Sequence, residues 1–192
     1  MVSYTISEVR SLGITASVST PGGAREILRK AAGVSGLFDI FLSHSFSDAE
    51  LILGVRRVLQ LSGKTVYIDW IDDPQLDRTR VSASTAAQLR QRMSQCKSLI
   101  YAATQAASSS KWMPWELGYF DGMKGSEAVA VMPLVAYTGQ SVGQEYLDLY
   151  PTVEKASSVF LPPKITKRVY GGIQQKSLDD LVTNRGGTAW HR

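Results

Sequence analysis

Apolar residues along the chain fall into four compact runs separated by stretches of helical periodicity. Leu37-Phe38-Asp39-Ile40-Phe41-Leu42 is almost continuously apolar, the pattern of a strand buried on both faces of a parallel sheet. Lys64–Trp70 is rich in β-branched and aromatic residues and reads as a second strand. Ser98–Ala103 and Ala128–Val135 supply a third and a fourth. Between the runs, Leu51, Val55, Val58 and Leu59 share one helical face. Ala86, Leu89 and Met93 share another, and Trp115–Met123 forms a further helical stretch. Strand and helix alternate throughout, which predicts an α/β fold: a flavodoxin-like three-layer sandwich with a mainly parallel central sheet. Right-handed crossovers place its helices on both faces.

Local signals punctuate this pattern. Ser47-Asp48-Ala49-Glu50 has the form of a capping box, so Ser47 and Glu50 are expected to satisfy free N–H groups at a helix start. Gly63 is placed to end that helix in a left-handed conformation. Pro114 suits the first helical position, with Met113 as N-cap and Glu116 in the first turn. There the helix dipole favours a charged carboxylate. Residues 1–36 read as an N-terminal extension, with a break at Thr20-Pro21-Gly22-Gly23, a short helix over Ala24–Ala32 and a hinge from Gly33 to Gly36. The main domain spans 37–150. Residues 151–192 form a C-terminal extension packed on the domain or completing it. A helical turn is expected within Gly143–Pro151 and a helix near Leu178–Val182, with breaks at Gly171-Gly172 and Gly186-Gly187.

Composition narrows the class. A chain of 192 residues with 44% hydrophobic residues can bury a full core. No apolar run reaches the roughly 18 residues of a membrane span, and Met1–Arg10 lacks the form of a signal peptide. Cys96 is the single cysteine, so an internal disulfide or a cysteine metal cluster is excluded and no metal site is expected. A soluble cytoplasmic protein is the expectation. The formal charge of +4 comes from scattered basic residues. That distribution argues against nucleic acid as the main ligand and suits a phosphate-bearing small molecule.

Ligands of open parallel sheets bind beyond the carboxyl ends of the strands. Three loops leave those ends: Ser43–Ser47, Ile71–Val81 and Thr104–Lys111. Gly-x-Gly-x-x-Gly after the first strand, the Walker sequence and the Gly-x-Ser-x-Gly nucleophile elbow are all absent. With only His44 and His191 in the chain, a histidine-dependent triad would have to use His44. A lone loop histidine is more often a hydrogen-bonded structural group. Trp112 and Trp115 read first as packing residues, and Asp72 and Asp73 as solvated loop charges. Glu116 has the strongest claim to chemistry: a first-turn carboxylate beside aromatic rings at the strand ends can hold ribose hydroxyls or face a cationic sugar carbon.

Three segments together resemble a TIR (Toll/interleukin-1 receptor) domain. Phe38-Asp39-Ile40-Phe41-Leu42-Ser43-His44-Ser45, followed by Asp48, is similar to the family's first strand and loop. Val66-Tyr67-Ile68-Asp69 is similar to its second strand. Ser110-Lys111-Trp112-Met113-Pro114-Trp115-Glu116-Leu117 matches its Ser-x-Trp-x-x-x-Glu-Leu motif. The match covers roughly residues 37–135. The loop after Asp69 departs from it, with Pro74-Gln75-Leu76-Asp77-Arg78 where many members carry a Gly, so no loop contact is carried over. The resemblance implies Glu116 as the catalytic residue of NAD+ hydrolysis or cyclisation. It implies Ser43, His44, Ser45, Asp69, Trp70 and Trp112 as substrate-binding residues. NAD+ is then a substrate, and no cofactor is expected.

Compact size and the Gly143–Pro151 segment further resemble the TIR subunit of Thoeris-type antiphage systems, which implies a nucleotide product acting on a separate effector, and self-association through the domain. Two rivals stand beside this reading: a non-enzymatic TIR interaction module, and a glycosidic enzyme of similar topology such as a nucleoside deoxyribosyltransferase.

Overall fold

A computed structural model describes residues 2–18 and 37–183. Its elements run β1 (Tyr4–Thr5), α1 (Ile6–Val18), β2 (Phe38–Ser43), α2 (Ala49–Leu61), β3 (Val66–Tyr67), α3 (Asp69–Asp72), α4 (Ala83–Ser94) and β4 (Cys96–Ala103). They continue with α5 (Met113–Lys124), β5 (Val129–Val135), β6 (Thr152–Glu154), β7 (Lys164–Val169), β8 (Gly172–Ser177) and α6 (Leu178–Thr183). The sheet order is β3-β2-β4-β5-β6-β7-β8, and β1 also pairs with β5. Pairing is parallel from β3 through β6 and antiparallel between β6, β7 and β8. The expected α/β architecture with a mainly parallel sheet is therefore present, and β2 lies inside the sheet.

The near-continuous apolar runs have a direct cause. Ile40, Leu42, Ile100, Ala102, Ala130 and Met132 face one side, where they pack with Val9 and Leu12 of α1, Leu51, Ile52 and Val55 of α2, and Leu181 of α6. Their neighbours Phe41, Leu99, Tyr101 and Val131 face the other side, against Leu89 and Met93 of α4 and Leu117 and Phe120 of α5. Both faces of each central strand are dry, so no polar alternation survives. Three layers result.

Several local expectations are corrected. The capping box does not form. A single 3-10 turn over Phe46–Asp48 precedes α2 and makes Asp48 its N-cap, without a side-chain cap bond. The Ser47 hydroxyl bonds instead with that of Ser45, and the Asp48 carboxylate accepts a bond from Thr104 Oγ1 at 2.6 Å. Gly63 does terminate α2 with φ 75°. The second strand is shorter than its sequence predicts. Asp69 and Trp70 lie in α3, where the Asp72 carboxylate accepts from the Ile68 N–H at 2.9 Å. Helix α5 starts one residue early, with Trp112 as N-cap.

The segment read as an N-terminal extension is built into the sheet and core. Tyr4 and Val9 are completely buried. Helix α1 crosses α2 so closely that a Cβ on Gly54 would lie 1.9 Å from the Val9 carbonyl oxygen. Strands β6 to β8 extend the sheet at its other end. The expected turn before Pro151 appears as a 3-10 turn over Glu145–Leu149, and the expected C-terminal helix is α6. The Ala24–Ala32 helix, the Gly33–Gly36 hinge, Gly186-Gly187 and His191 lie outside the described residues. No helix among the described residues is long and apolar enough to cross a membrane.

Candidate functional site

Strand β2 pairs with β3 on one side and β4 on the other, so successive crossovers leave β2 in opposite directions. Such a switch point opens a crevice at the strand carboxyl ends. Ser43, the last residue of β2, stands opposite Tyr101 of β4 in the register. After β4 the chain runs through a 3-10 turn into α5, whose first turn carries Glu116.

The side chains at this point form a nearly closed circuit. His44 lies next to Ser43, and its Nδ1 is 2.8 Å from the Leu42 carbonyl oxygen. A carbonyl only accepts, so Nδ1 carries the proton. His44 Nε2 then accepts from the Trp70 indole N–H at 2.9 Å. The Asp69 carboxylate accepts from the Trp70 backbone N–H at 2.8 Å and from the Arg78 guanidinium. Arg78 Nη2 donates to Glu116 Oε1 at 2.6 Å, and Ser43 Oγ donates to Glu116 Oε2 at 2.6 Å. The circuit thus returns to the residue beside which it began. Trp112 braces it from α5, its indole N–H donating to the Arg78 carbonyl at 3.1 Å.

Burial sets the electrostatics. Glu116 and Ser43 are 0% exposed, His44 and Asp69 2%. Burial pushes the Glu116 carboxyl above the usual carboxylate range; Arg78 and Ser43 pull it back, and the Asp69 charge adds to the rise. The helix dipole expected to dominate at this position is overridden by desolvation. Burial likewise lowers His44, against the opposing pull of Asp69. His44 Nε2 lies 3.5 Å from Asp69 Oδ1. Its lone pair is already taken by Trp70, so the two do not form an ion pair. For Arg78, burial opposes the charge, but Glu116 and Asp69 outweigh it and raise its affinity for the proton.

Of the residues singled out from sequence, Ser43, His44, Asp69, Trp70, Trp112 and Glu116 meet in this circuit. Ser45 does not: it is half-buried, and its hydroxyl bonds with Ser47. Arg78 was missed, although it touches both carboxylates. Its one sequence signal was the Arg78/Arg80 pair in a loop at the strand ends. Asp73 is also corrected. It is 2% exposed and accepts two bonds from Arg92 and one from the Tyr67 hydroxyl, so it is a buried anchor of the loop. Despite burial, those partners hold its carboxyl below the usual range. Among the described residues, no cluster suited to a metal ion occurs.

No protein-family model matches the chain. Over 125 residues it is 51% identical to ThsB' of Bacillus cereus strain MSX-D12, named as a probable 3' cyclic ADP-D-ribose synthase. The match covers 64% of this chain and 64% of that protein. Over 84 residues it is 31% identical to TIR2 of Cytobacillus dafuensis, provisionally named a cyclic ADP-D-ribose synthase. Here the match covers 43% of this chain and 22% of the relative. The chain spans less than two thirds of the length of the curated relatives it matches. Both relatives are named for cyclic ADP-D-ribose synthesis, and one carries TIR in its name.

Proposed function

We propose that this chain cleaves the bond between nicotinamide and ribose in NAD+ and closes the remaining ADP-ribose on itself, making a cyclic ADP-ribose signal for a separate effector in bacterial antiphage defence. The observation that carries the reading is Glu116, a buried carboxylate at the sheet's switch point with a serine hydroxyl and a guanidinium on its two oxygens. The names of the two relatives support the same chemistry.

Nicotinamide in NAD+ already carries a positive ring. When its bond to the ribose C1′ breaks, the electron pair neutralises that ring, so the leaving group needs no proton and the reaction needs no cofactor. The C1′ is left with oxocarbenium character, which a preorganised carboxylate stabilises in a water-poor site. Both Glu116 oxygens are engaged in the free protein. A carboxylate offers about four acceptor positions, so a ribose hydroxyl can donate to Glu116 beside the bonds from Ser43 and Arg78. An atom elsewhere in the same ADP-ribose then attacks C1′ and closes the ring.

Purified protein incubated with NAD+ is expected to release nicotinamide and a product one water lighter than ADP-ribose by mass spectrometry. Release with only ADP-ribose formed would keep the cleavage and remove the cyclisation.

One observation favours the rival interaction module: a carboxylate sealed from solvent with both oxygens paired inside the protein is also what a structural ion pair looks like. Glu116→Gln separates the two. Under the enzymatic reading, nicotinamide release falls at least ~100-fold, the scale for losing one preorganised electrostatic group. An unaltered rate, or none from the wild type, supports the module.

A further inference from the structure

We propose that Arg78 is the positioning residue for Glu116: its guanidinium, forked between Asp69 and Glu116, keeps the catalytic carboxylate ionised and aimed at Ser43 inside a sealed site. This rests on the NAD+-cleaving reading given above. Burying a charge is costly. A carboxylate removed from water without a compensating cation takes up a proton instead. Protonated, Glu116 would offer no negative charge to an oxocarbenium ion.

The elements packed around Glu116 present few candidates for the compensating charge. Strand β2 presents Ser43, a neutral donor. Strand β4 presents Tyr101, whose ionisation is pushed far up by burial, so it stays neutral. Helix α3 presents Asp69, a second carboxylate that makes the problem worse. His44 is neutral, because Nε2 accepts the Trp70 N–H and burial lowers its affinity for a proton. Arg78 is the cation, among the described residues, that contacts Glu116.

Geometry explains the residue type. Nη1 reaches Asp69 and Nη2 reaches Glu116, so one planar fork spans two carboxylates. A lysine has a single nitrogen and cannot hold both in that arrangement. Segment 74–82 has no regular structure to hold the fork. Its position is fixed at the Arg78 carbonyl by Trp112, and at the Asp77 carbonyl by Thr85 Oγ1 at 3.0 Å. Trp112, four residues before Glu116, thereby ties the loop to the helix that carries the carboxylate.

The test follows the protonation of Glu116 directly. Protein labelled with carbon-13 at glutamate carboxyls is titrated by NMR, with Glu116→Gln assigning the signal. In Arg78→Met the Glu116 midpoint is expected to rise by roughly 1–3 pH units, the range by which an adjacent opposite charge moves a carboxylate. Arg78→Lys, which keeps a cation, should show a smaller rise in the same direction and serves if the methionine variant does not fold. The acid limb of kcat for nicotinamide release should move up in parallel, with KM changed far less. An unmoved Glu116 midpoint in a folded variant overturns the proposal. If the wild type releases no nicotinamide, the NAD+ reading fails, and the titration still decides what Arg78 does to Glu116.

Discussion

Glu116 and His44 are both shielded from solvent, yet burial moves them in opposite directions on the pH scale. Each disfavours its charged form, and the two consequences for stability also oppose. The folded value of His44 lies below its unfolded value of about 6.5. Its contribution is therefore complete above that pH and is lost as pH falls through the lowered value. Glu116 is raised, so its contribution is complete below about 4.3 and is lost as pH rises through the raised value. Replacing His44 by Gln should flatten the loss of stability between pH 7 and 5. Urea midpoints across that range check it, and equal slopes for mutant and wild type would refute the neutral-histidine assignment. Glu116→Gln should cost about 1.5–3 kcal/mol, the scale of hydrogen bonds to charged groups, because Arg78 keeps Asp69 as partner. Trp112→Ala should unseat the Arg78 loop and move the acid limb of kcat upward, as Arg78→Met does, measured as nicotinamide release across pH. The site's motif residues were readable in sequence because Ser43-His44 and Trp112-x-x-x-Glu116 are short local patterns. Arg78 was not, because its role exists only once the loop after Asp69 folds back over α5.

At the scale of elements, Gly54 inside α2 and Gly63 just past its end make a controlled contrast. A Cβ at Gly54 would meet the Val9 carbonyl oxygen at 1.9 Å, with no flexible side chain to yield. Gly54→Ala should force α1 off α2 and cost about 3 kcal/mol, the upper part of the usual range for overpacking. Gly63 has φ 75° and open space around its Cα. Gly63→Ala should cost only about 1 kcal/mol, the strain of a left-handed residue. Denaturant midpoints of the two variants decide it, and equal losses would contradict the packing account. The central strands β2, β4 and β5 were visible because both faces are dry and the apolar runs unbroken. The short strand β3 misled, because Val66–Trp70 is uniformly strand-like in composition. The Asp72 side chain bonds back to Ile68 and turns Asp69–Asp72 into a helix. The capping box failed because the 3-10 turn over Phe46–Asp48 moves the N-cap from Ser47 to Asp48, and the Ser47 hydroxyl bonds with that of Ser45.

For the whole molecule, the sheet has a junction at β5 that periodicity did not show. Strands β1 and β6 share the edge of β5, with the Lys155 N–H donating to the Val2 carbonyl at 2.8 Å and Lys155 Nζ to Glu8 at 2.6 Å. Such short strands carry little pattern of their own, and their partners are distant in sequence. Deleting residues 2–18 should therefore destabilise the fold rather than unmask the site. Burial of each large apolar side chain is worth about 1.5–3 kcal/mol, and Tyr4, Val9 and Leu12 are all buried. A truncated protein that stays soluble with an unchanged melting temperature would contradict this. The same stitching fixes an order of events during synthesis. Residues 4 and 5 pair with 134 and 135, and residue 2 with 155. As the chain leaves the ribosome, its early strand and helix must wait for some 130 later residues before their place in the sheet exists. Until then Tyr4 and Val9 are exposed to whatever binds nascent apolar chain, so yield in the cell is set by what shelters that segment during translation as well as by the stability of the finished protein.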